Sequence, residues 1–197
     1  MQYNFTILNG VYATSKTDYC TDFAGFVDVM QKQPRSADRL KSRMIFPGKL
    51  GNHRNDKGSY RTQENVECVS MLAIDHDKGF TQLSDVMPRL EKAGIEAFAH
   101  YTHRHDLLNG AIKWRLYIPL PEPLYPGQEQ ELHTAVKCAL AVCGLKKEVE
   151  EWPYFKMSGV EYWDAFKESD GALSSHSMFT LPPDRELYVV EGSPMRS

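Results

Sequence analysis

The sequence has no excess of positive charge and no long apolar segment. The formal net charge of its 197 residues is −3, and the pI is about 6.2. These values argue against a large phosphate-coating surface but allow a local basic cleft. No apolar run approaches the roughly 18 residues of a membrane span, and MQYNFTILNG does not resemble a signal peptide. We therefore expect a cytoplasmic protein without a membrane partner.

Cysteines are few, and several well-known nucleotide and hydrolase motifs are absent. The four cysteines form no C-x-x-C pair and no Cys/His set with zinc spacing. We expect buried, reduced thiols at Cys20, Cys68, Cys138 and Cys143. There is no G-x-x-x-x-G-K-[ST] loop, no G-x-G-x-x-G and no G-x-S-x-G. The corresponding phosphate-loop, dinucleotide-binding and α/β-hydrolase sites are therefore excluded.

The hydrophobic pattern predicts an α+β chain. Helical spacing indicates helices over 21–31, 81–93 and 127–144, while short apolar or alternating runs indicate strands over 3–8, 66–77, 95–103, 111–120 and 178–183. Asn109-Gly110 predicts a hairpin turn, and the prolines from Pro119 to Pro126 are expected to end the strand before them. Residues 47–62 are expected to form a polar loop.

This order of elements predicts an RRM-like βαββαβ core with a mixed or antiparallel sheet and helices on one face. We expect one domain over residues 1–190. Residues 1–62 would be an N-terminal α/β elaboration, residues 63–190 the RRM-like core, and residues 191–197 a flexible tail.

Asp75 and Asp77 are the strongest candidates for chemistry. They end the apolar strand LAIDHD, and residues two apart on a strand share a face. Two carboxylates held together at a buried strand end need a compensating cation, and hard oxygen ligands suit Mg²⁺ or Mn²⁺. Two such ions could serve nucleotidyl transfer. The alternative is a solvated acidic turn. His76, between the two acids, is predicted to be a packing residue.

The strand AIKWRLYIPL divides into an apolar face and a polar face. Lys113, Arg115 and Tyr117 alternate with apolar residues. Two cations and an aromatic ring suit a triphosphate or a template backbone, with Tyr117 able to stack on a base. A solvated strand face is the alternative interpretation.

Further candidates lie in two other segments. His103 and His105, with Asp106, could bind metal or phosphate, or could simply be surface histidines beside a turn. A third metal-binding acid could be Asp170, in SDGALSSHSMFTLPP, with Asp164 and Glu161 as competitors.

Together these residues resemble the archaeo-eukaryotic primase superfamily, especially the primase-polymerases of phages and plasmids. The resemblance covers most of residues 40–185. LAIDHD is similar to the family's strand ending in D-x-D, and KWRLYIPL to its R-W-R-x-x-x-P-L segment. HYTHRH resembles the family's Y-x-T-x-S-H segment, and ENVECVSML after Arg61 fits the region before the first motif. The position of the family's third acid resembles that of Asp170.

The resemblance implies a stand-alone catalytic core that synthesises primers on a single-stranded DNA template from nucleoside triphosphates, by a two-metal mechanism. It implies that Asp75, Asp77 and Asp170 hold two Mg²⁺ or Mn²⁺ ions. His103, His105, Lys113, Arg115 and Arg61 would bind the nucleotide, with either His105 or Arg115 filling the second-motif role and Arg61 contacting nucleotide or template. A replicative helicase or an initiator protein would be a partner. On this basis Asp75→Ala is expected to abolish incorporation and leave the fold intact.

Three other functions fit parts of the sequence. A rolling-circle replication (HUH-type) endonuclease needs a similar length, a central sheet and a metal, but its histidines flank a hydrophobic residue, whereas Arg104 separates these. A non-catalytic RRM-like module would bind single strands through Lys113, Arg115 and Tyr117. A metal-dependent hydrolase could use His103, His105 and Asp106.

Overall fold

The chain folds into nine strands and three α-helices within the residues that the computed structural model describes. These are residues 1–10, 12–36, 43–76, 81–102, 105–106, 108–110, 112–145, 160–162 (backbone only) and 187–195. The elements in order are β1 (Tyr3–Leu8), β2 (Lys16–Thr21), α1 (Phe23–Lys32), β3 (Met44–Phe46), β4 (Gly48–Leu50), β5 (Val66–His76), α2 (Leu83–Lys92), β6 (Ala97–Tyr101), β7 (Trp114–Leu124), α3 (Glu129–Val142), β8 (Val160–Tyr162) and β9 (Leu187–Val190).

The strands form two antiparallel sheets, which confirms the α+β class. A three-stranded sheet has the order β2-β1-β3, and a six-stranded sheet has the order β4-β5-β7-β6-β9 with β8 paired to β5. β4 lies in the predicted N-terminal elaboration, yet it belongs to the larger sheet. The predicted strand over residues 178–183 lies outside the described residues.

Local signals place the three helices close to their predicted bounds. The Asp22 side chain caps α1 by accepting a hydrogen bond from the Gly25 N–H at 2.8 Å. α2 begins with a capping box between Gln82 and Asp85. Gly94 and Gly144 follow α2 and α3 with φ of +67° and +80°, the left-handed backbone that glycine accommodates after a helix.

The larger sheet is buried on both faces. On one face Leu72 and Ile74 pack with residues of α2 and α3. On the other face Met71 packs with residues of β1 and α1, including Phe5 and Phe26. The two helices of the predicted core, α2 and α3, lie on the same face, as expected, while α1 and the small sheet of the N-terminal elaboration cover the second face.

The prolines do not end β7. The strand runs through Pro119, Pro121 and Pro123 to Leu124. Alternate residues of a strand direct their backbone groups to the same edge. The Pro119 carbonyl accepts a hydrogen bond from the Met195 N–H at 3.2 Å, so the backbone groups of Pro119 point to the edge of β7 that faces away from β5. β6 pairs with that edge only as far as Tyr117. The prolines therefore follow the paired part, where β6 requires no N–H donor.

The last described residues continue along the sheet rather than leaving it. The Ser193 N–H donates to the Gly94 carbonyl at 2.8 Å, and the Glu96 N–H donates to the Ser193 carbonyl at 2.9 Å. Met195 is buried in the helix-side core. The predicted flexible tail, residues 191–197, thus begins with a segment that contacts the sheet.

None of the three described helices is long and apolar enough to cross a membrane.

Candidate active site

The candidate site is built on the paired ends of the two central strands. β5 and β7 are antiparallel, and their register places Asp75 opposite Arg115. Cross-strand partners share a face of the sheet. Both residues lie on the face that carries Met71 and Tyr117, at the edge of the core formed by α1 and the small sheet. The sequence predicted both residues, but it did not predict their direct pairing.

Asp75 and Arg115 form a buried bidentate ion pair. Arg115 Nε lies 3.0 Å from Asp75 Oδ1, and Arg115 Nη2 lies 3.1 Å from Asp75 Oδ2. Asp75 is 7% exposed and Arg115 is 8% exposed. Two parallel charge-assisted hydrogen bonds hold the carboxylate in one orientation. The cation that compensates Asp75 in this structure is therefore an arginine of the neighbouring strand.

Tyr117 lies beside this pair and reinforces it. Burial opposes the charge on Arg115, but Asp75 and a hydrogen bond with Tyr117 outweigh burial, so the pKa of Arg115 is raised. Burial also raises the pKa of Tyr117 far above its ordinary value. At 1% exposure Tyr117 belongs to the second core. The prediction that its ring faces solvent and stacks on a base was wrong, because α1 and β1 cover that face.

The strand register places two further residues in one cross-strand row with Asp75 and Arg115. His100 on β6 is opposite Arg115, and Glu161 on β8 is opposite Asp75. His100 is fully buried, and its Nδ1 donates to the Tyr101 carbonyl at 2.8 Å. His100 was not predicted from the sequence. A signal was present, since His100 alternates in phase with Phe98 in an otherwise apolar strand.

A contact with Lys113 holds His105 next to the start of β7. The Lys113 N–H donates to His105 Nδ1 at 3.2 Å, and the His105 ring stacks on Tyr101 with centroids 3.9 Å apart. Because Nδ1 accepts a hydrogen bond, the proton of the neutral ring is on Nε2. His105 is 4% exposed, so it is not the surface histidine of the alternative interpretation.

Asp106 has a different role from the one considered for it. Its carboxylate accepts hydrogen bonds from the backbone N–H groups of Leu108 and Asn109 and from the Asn109 side chain. This is the pattern of an Asx turn. Asp106 therefore shapes the hairpin, and a metal site based on Asp106 and His105 gains no support from these contacts.

His76 packs on the opposite face, as predicted. Its ring stacks on Trp114 with centroids 4.6 Å apart, and its Nδ1 donates to the Ile112 carbonyl at 2.9 Å. Ile112, Trp114, Leu116 and Ile118 are all buried on the helix side, which confirms the predicted apolar face of this strand.

Several predicted site residues lie outside the described residues: Asp77, His103, Asp164 and Asp170. Within the part of the chain that the structure describes, no three His, Cys, Asp or Glu side chains form a cluster that could hold a metal ion. The acidic metal site therefore remains a prediction.

Arg61 is far from the ion pair. It precedes a short 3-10 turn at Gln63–Asn65, after which β5 starts at Val66. Asp75 lies nine residues further along this strand, which corresponds to roughly 30 Å at about 3.3 Å per residue. The structure does not bring Arg61 to the residues predicted to bind nucleotide with it.

No family model matches the sequence, and no curated protein matches it. A search of solved structures finds a similarity to the AEP domain of the cyanophage S-2L primase-polymerase. The match has a TM-score of 0.40 and 12% identity, and covers 98% of this chain and 84% of that one. At this TM-score the similarity establishes neither a shared fold nor a shared activity.

Proposed function

We propose that this chain is a nucleotidyltransferase that synthesises primers on single-stranded DNA. The main observation that supports this proposal is the buried pair of Asp75 and Arg115 at the end of the central strands. Both residues occupy motifs, LAIDHD and KWRLYIPL, that resemble the archaeo-eukaryotic primases. The proposal includes the RRM-like plan. It is supported by the order β5, α2, β6, β7, α3 and by the pairing of β8 with β5.

Arg115 would act by orienting Asp75. A carboxylate has about four acceptor positions, and the guanidinium occupies one on each oxygen. Carboxylate oxygens are hard donors, so the chemistry of Asp75 fits a divalent ion bound in addition to Arg115. Because Arg115 is buried and is joined to Asp75 by two hydrogen bonds, we assign it the role of positioning this acid.

The proposed metal ligands are Asp75, Asp77 and a third acid. A bound Mg²⁺ or Mn²⁺ pair would supply charge neutralisation at the transferring phosphoryl group and a lower pKa for the attacking hydroxyl. For the third acid, the family resemblance favours Asp170, whereas the register favours Glu161, opposite Asp75 on β8. Glu161→Gln, Asp170→Asn and Asp164→Asn would be compared side by side, and the third ligand is the one whose loss weakens Mn²⁺ binding.

His105 is the proposed phosphate ligand. Its Nδ1 accepts from the backbone of Lys113, so the neutral ring has a donor at Nε2. An N–H donor of this kind suits an anionic phosphate oxygen. His105→Asn, whose shorter side chain cannot reproduce the stacking on Tyr101, is expected to raise the KM for nucleotide.

The non-catalytic RRM-like binder loses the surface on which it was based. Arg115 and Tyr117 are 8% and 1% exposed, so the described sheet face cannot stack on bases as that alternative requires.

The test is template-dependent incorporation of labelled nucleotide with Mg²⁺ or Mn²⁺, over ribo- and deoxynucleotides. Asp75→Asn keeps one acceptor for Arg115 but removes the charge, and it should lower incorporation at least about a hundredfold. Glu91→Gln changes an exposed acid on α2 and should retain full activity. Circular dichroism would verify that both variants are folded. Full activity of folded Asp75→Asn would refute the proposal.

A further inference from the structure

The loop at residues 51–62 is a built structure rather than a loose connection. Buried Asn65 anchors it, since its side chain donates to the Tyr60 carbonyl at 2.8 Å and accepts from the His53 N–H at 3.1 Å. At the tip, the Asn55 side chain accepts from the N–H groups of Lys57 and Ser59, both at 3.0 Å. We call residues 51–62 the basic loop.

The Tyr60 ring of this loop lies close to two cations, Lys16 and Arg54. The Arg54 guanidinium lies 4.5 Å from the centroid of the Tyr60 ring and donates to the Tyr60 hydroxyl at 2.7 Å. The Lys16 ammonium lies 5.6 Å from the same ring and donates to the Leu50 carbonyl at 2.6 Å. Arg54 is exposed, and its planar group has five N–H donors. The contact with Tyr60 orients the guanidinium and leaves donors for an anion.

The basic loop has the opposite sign to the rest of the molecule. It contains Arg54, Lys57 and Arg61 against a single acid, Asp56, whereas the whole chain has a net charge of −3. Arg54 and Lys57 are both exposed. A positive loop on a negative protein attracts a polyanion locally, which is the arrangement that low overall charge still allows.

An exposed aromatic side chain lies beside the same loop. Tyr12 is 73% exposed. The next residue, Ala13, is fully buried, has a φ of +51°, and accepts from the Tyr60 N–H at 3.0 Å through its carbonyl. This hydrogen bond joins the basic loop to the connection between β1 and β2. Tyr12 is therefore one residue away from the contact with the basic loop. Exposed rings next to cations are the features with which proteins bind single strands, by stacking and by phosphate contacts.

We infer that Tyr12, Arg54 and Lys57 form a binding surface for single-stranded nucleic acid, separate from the residues around Asp75. Arg54 and Lys57 contact phosphates, and Tyr12 stacks on a base. The surface adjoins the start of β5, roughly 30 Å from Asp75 at about 3.3 Å per residue. The inference extends the proposed function, since it identifies where a template strand is held away from the chemistry.

The test is fluorescence anisotropy with a labelled oligothymidylate, without metal or nucleotide, over a salt series. Arg54→Gln/Lys57→Gln should weaken binding roughly tenfold and reduce the slope of log K against log salt by about 1.4, which corresponds to two lost phosphate contacts. Tyr12→Ala should weaken binding at least about fivefold without changing that slope. The two kinds of contact thereby give different signatures.

The matched control is Lys32→Gln/Lys92→Gln. Lys32 and Lys92 are exposed cations on α1 and α2, so this variant has the same net charge as the loop variant. It should bind as the unaltered protein does. Equal losses in the two double variants, an unaffected Tyr12→Ala, or equal competition by duplex DNA of the same length would each overturn the inference.

Catalysis is tested separately. Asp75→Asn should bind the oligonucleotide with unchanged affinity. Binding that depends on the basic loop in a protein without incorporation would refute the proposed function alone. If the protein incorporates nucleotide but substitutions at Tyr12, Arg54 and Lys57 leave its oligonucleotide affinity unchanged, this inference alone is refuted.

Discussion

Asp75 and Arg115 hold each other across β5 and β7 through two hydrogen bonds of 3.0 and 3.1 Å, with both side chains 10% exposed. Removing one partner of such a buried pair leaves an uncompensated charge, which costs about 3–5 kcal/mol. The expectation that Asp75→Ala leaves the fold intact is therefore revised: we expect that variant to lose about this much stability.

A double variant separates the structural role of Asp75 from its proposed role in chemistry. Asp75→Ala/Arg115→Met removes both charges, and we expect it to recover most of the stability lost in Asp75→Ala, as measured by urea denaturation. Incorporation should stay absent in the double variant. Additive losses of stability from the two substitutions would contradict the coupling.

Stability should fall at alkaline pH because of buried tyrosine. Burial raises the pKa of Tyr117 in the folded state, whereas the unfolded chain ionises near pH 10. The favourable contribution is complete below about pH 10 and is lost as pH rises above it, by up to about 1.4 kcal/mol per pH unit. Tyr117→Phe should flatten this fall in a series of denaturant melts. An unchanged slope in Tyr117→Phe would show that other groups cause it.

Thiol reactivity should divide the cysteines into classes. The expectation of four buried thiols was wrong for Cys20, which is exposed, and for Cys138, which is half-buried, while Cys68 and Cys143 are buried. Burial raises the pKa of Cys143 to about 12, so little reactive thiolate forms at neutral pH. Iodoacetamide labelling at pH 8, followed by mass spectrometry, should modify Cys20 first and Cys143 only after unfolding. Cys20→Ser should remove the fast phase, and its persistence would contradict the assignment.

Asn65 should control the order of the basic loop. Asn65→Ala removes two hydrogen bonds that hold the loop, to the Tyr60 carbonyl and from the His53 N–H, which costs about 1–3 kcal/mol in total. We expect faster trypsin cleavage at Arg54 and Lys57 in this variant, measured by mass spectrometry. Cleavage at these sites as slow as in the unaltered protein would show that other contacts hold the loop.

Much of the secondary structure could be predicted because it follows local patterns. β1 spans the predicted residues, and the helix periodicity and terminal glycines located α1, α2 and α3 within about two residues. The apolar face of β7 and the packing role of His76 followed from alternation in the same way. Short strands such as β3 and β4, each three residues long, lack enough residues for a visible period and were missed.

Alternation is a local property of the chain, so the residues that share a face of a strand, and the motifs they form, could be predicted from the sequence. The contacts that each face makes depend on how distant segments pack. Alternation put Arg115 and Tyr117 on one side, but the packing of α1 and β1 buried that side. Strand register, a relation between distant segments, placed Asp75 opposite Arg115, His100 beside them and Arg61 at the far end of β5.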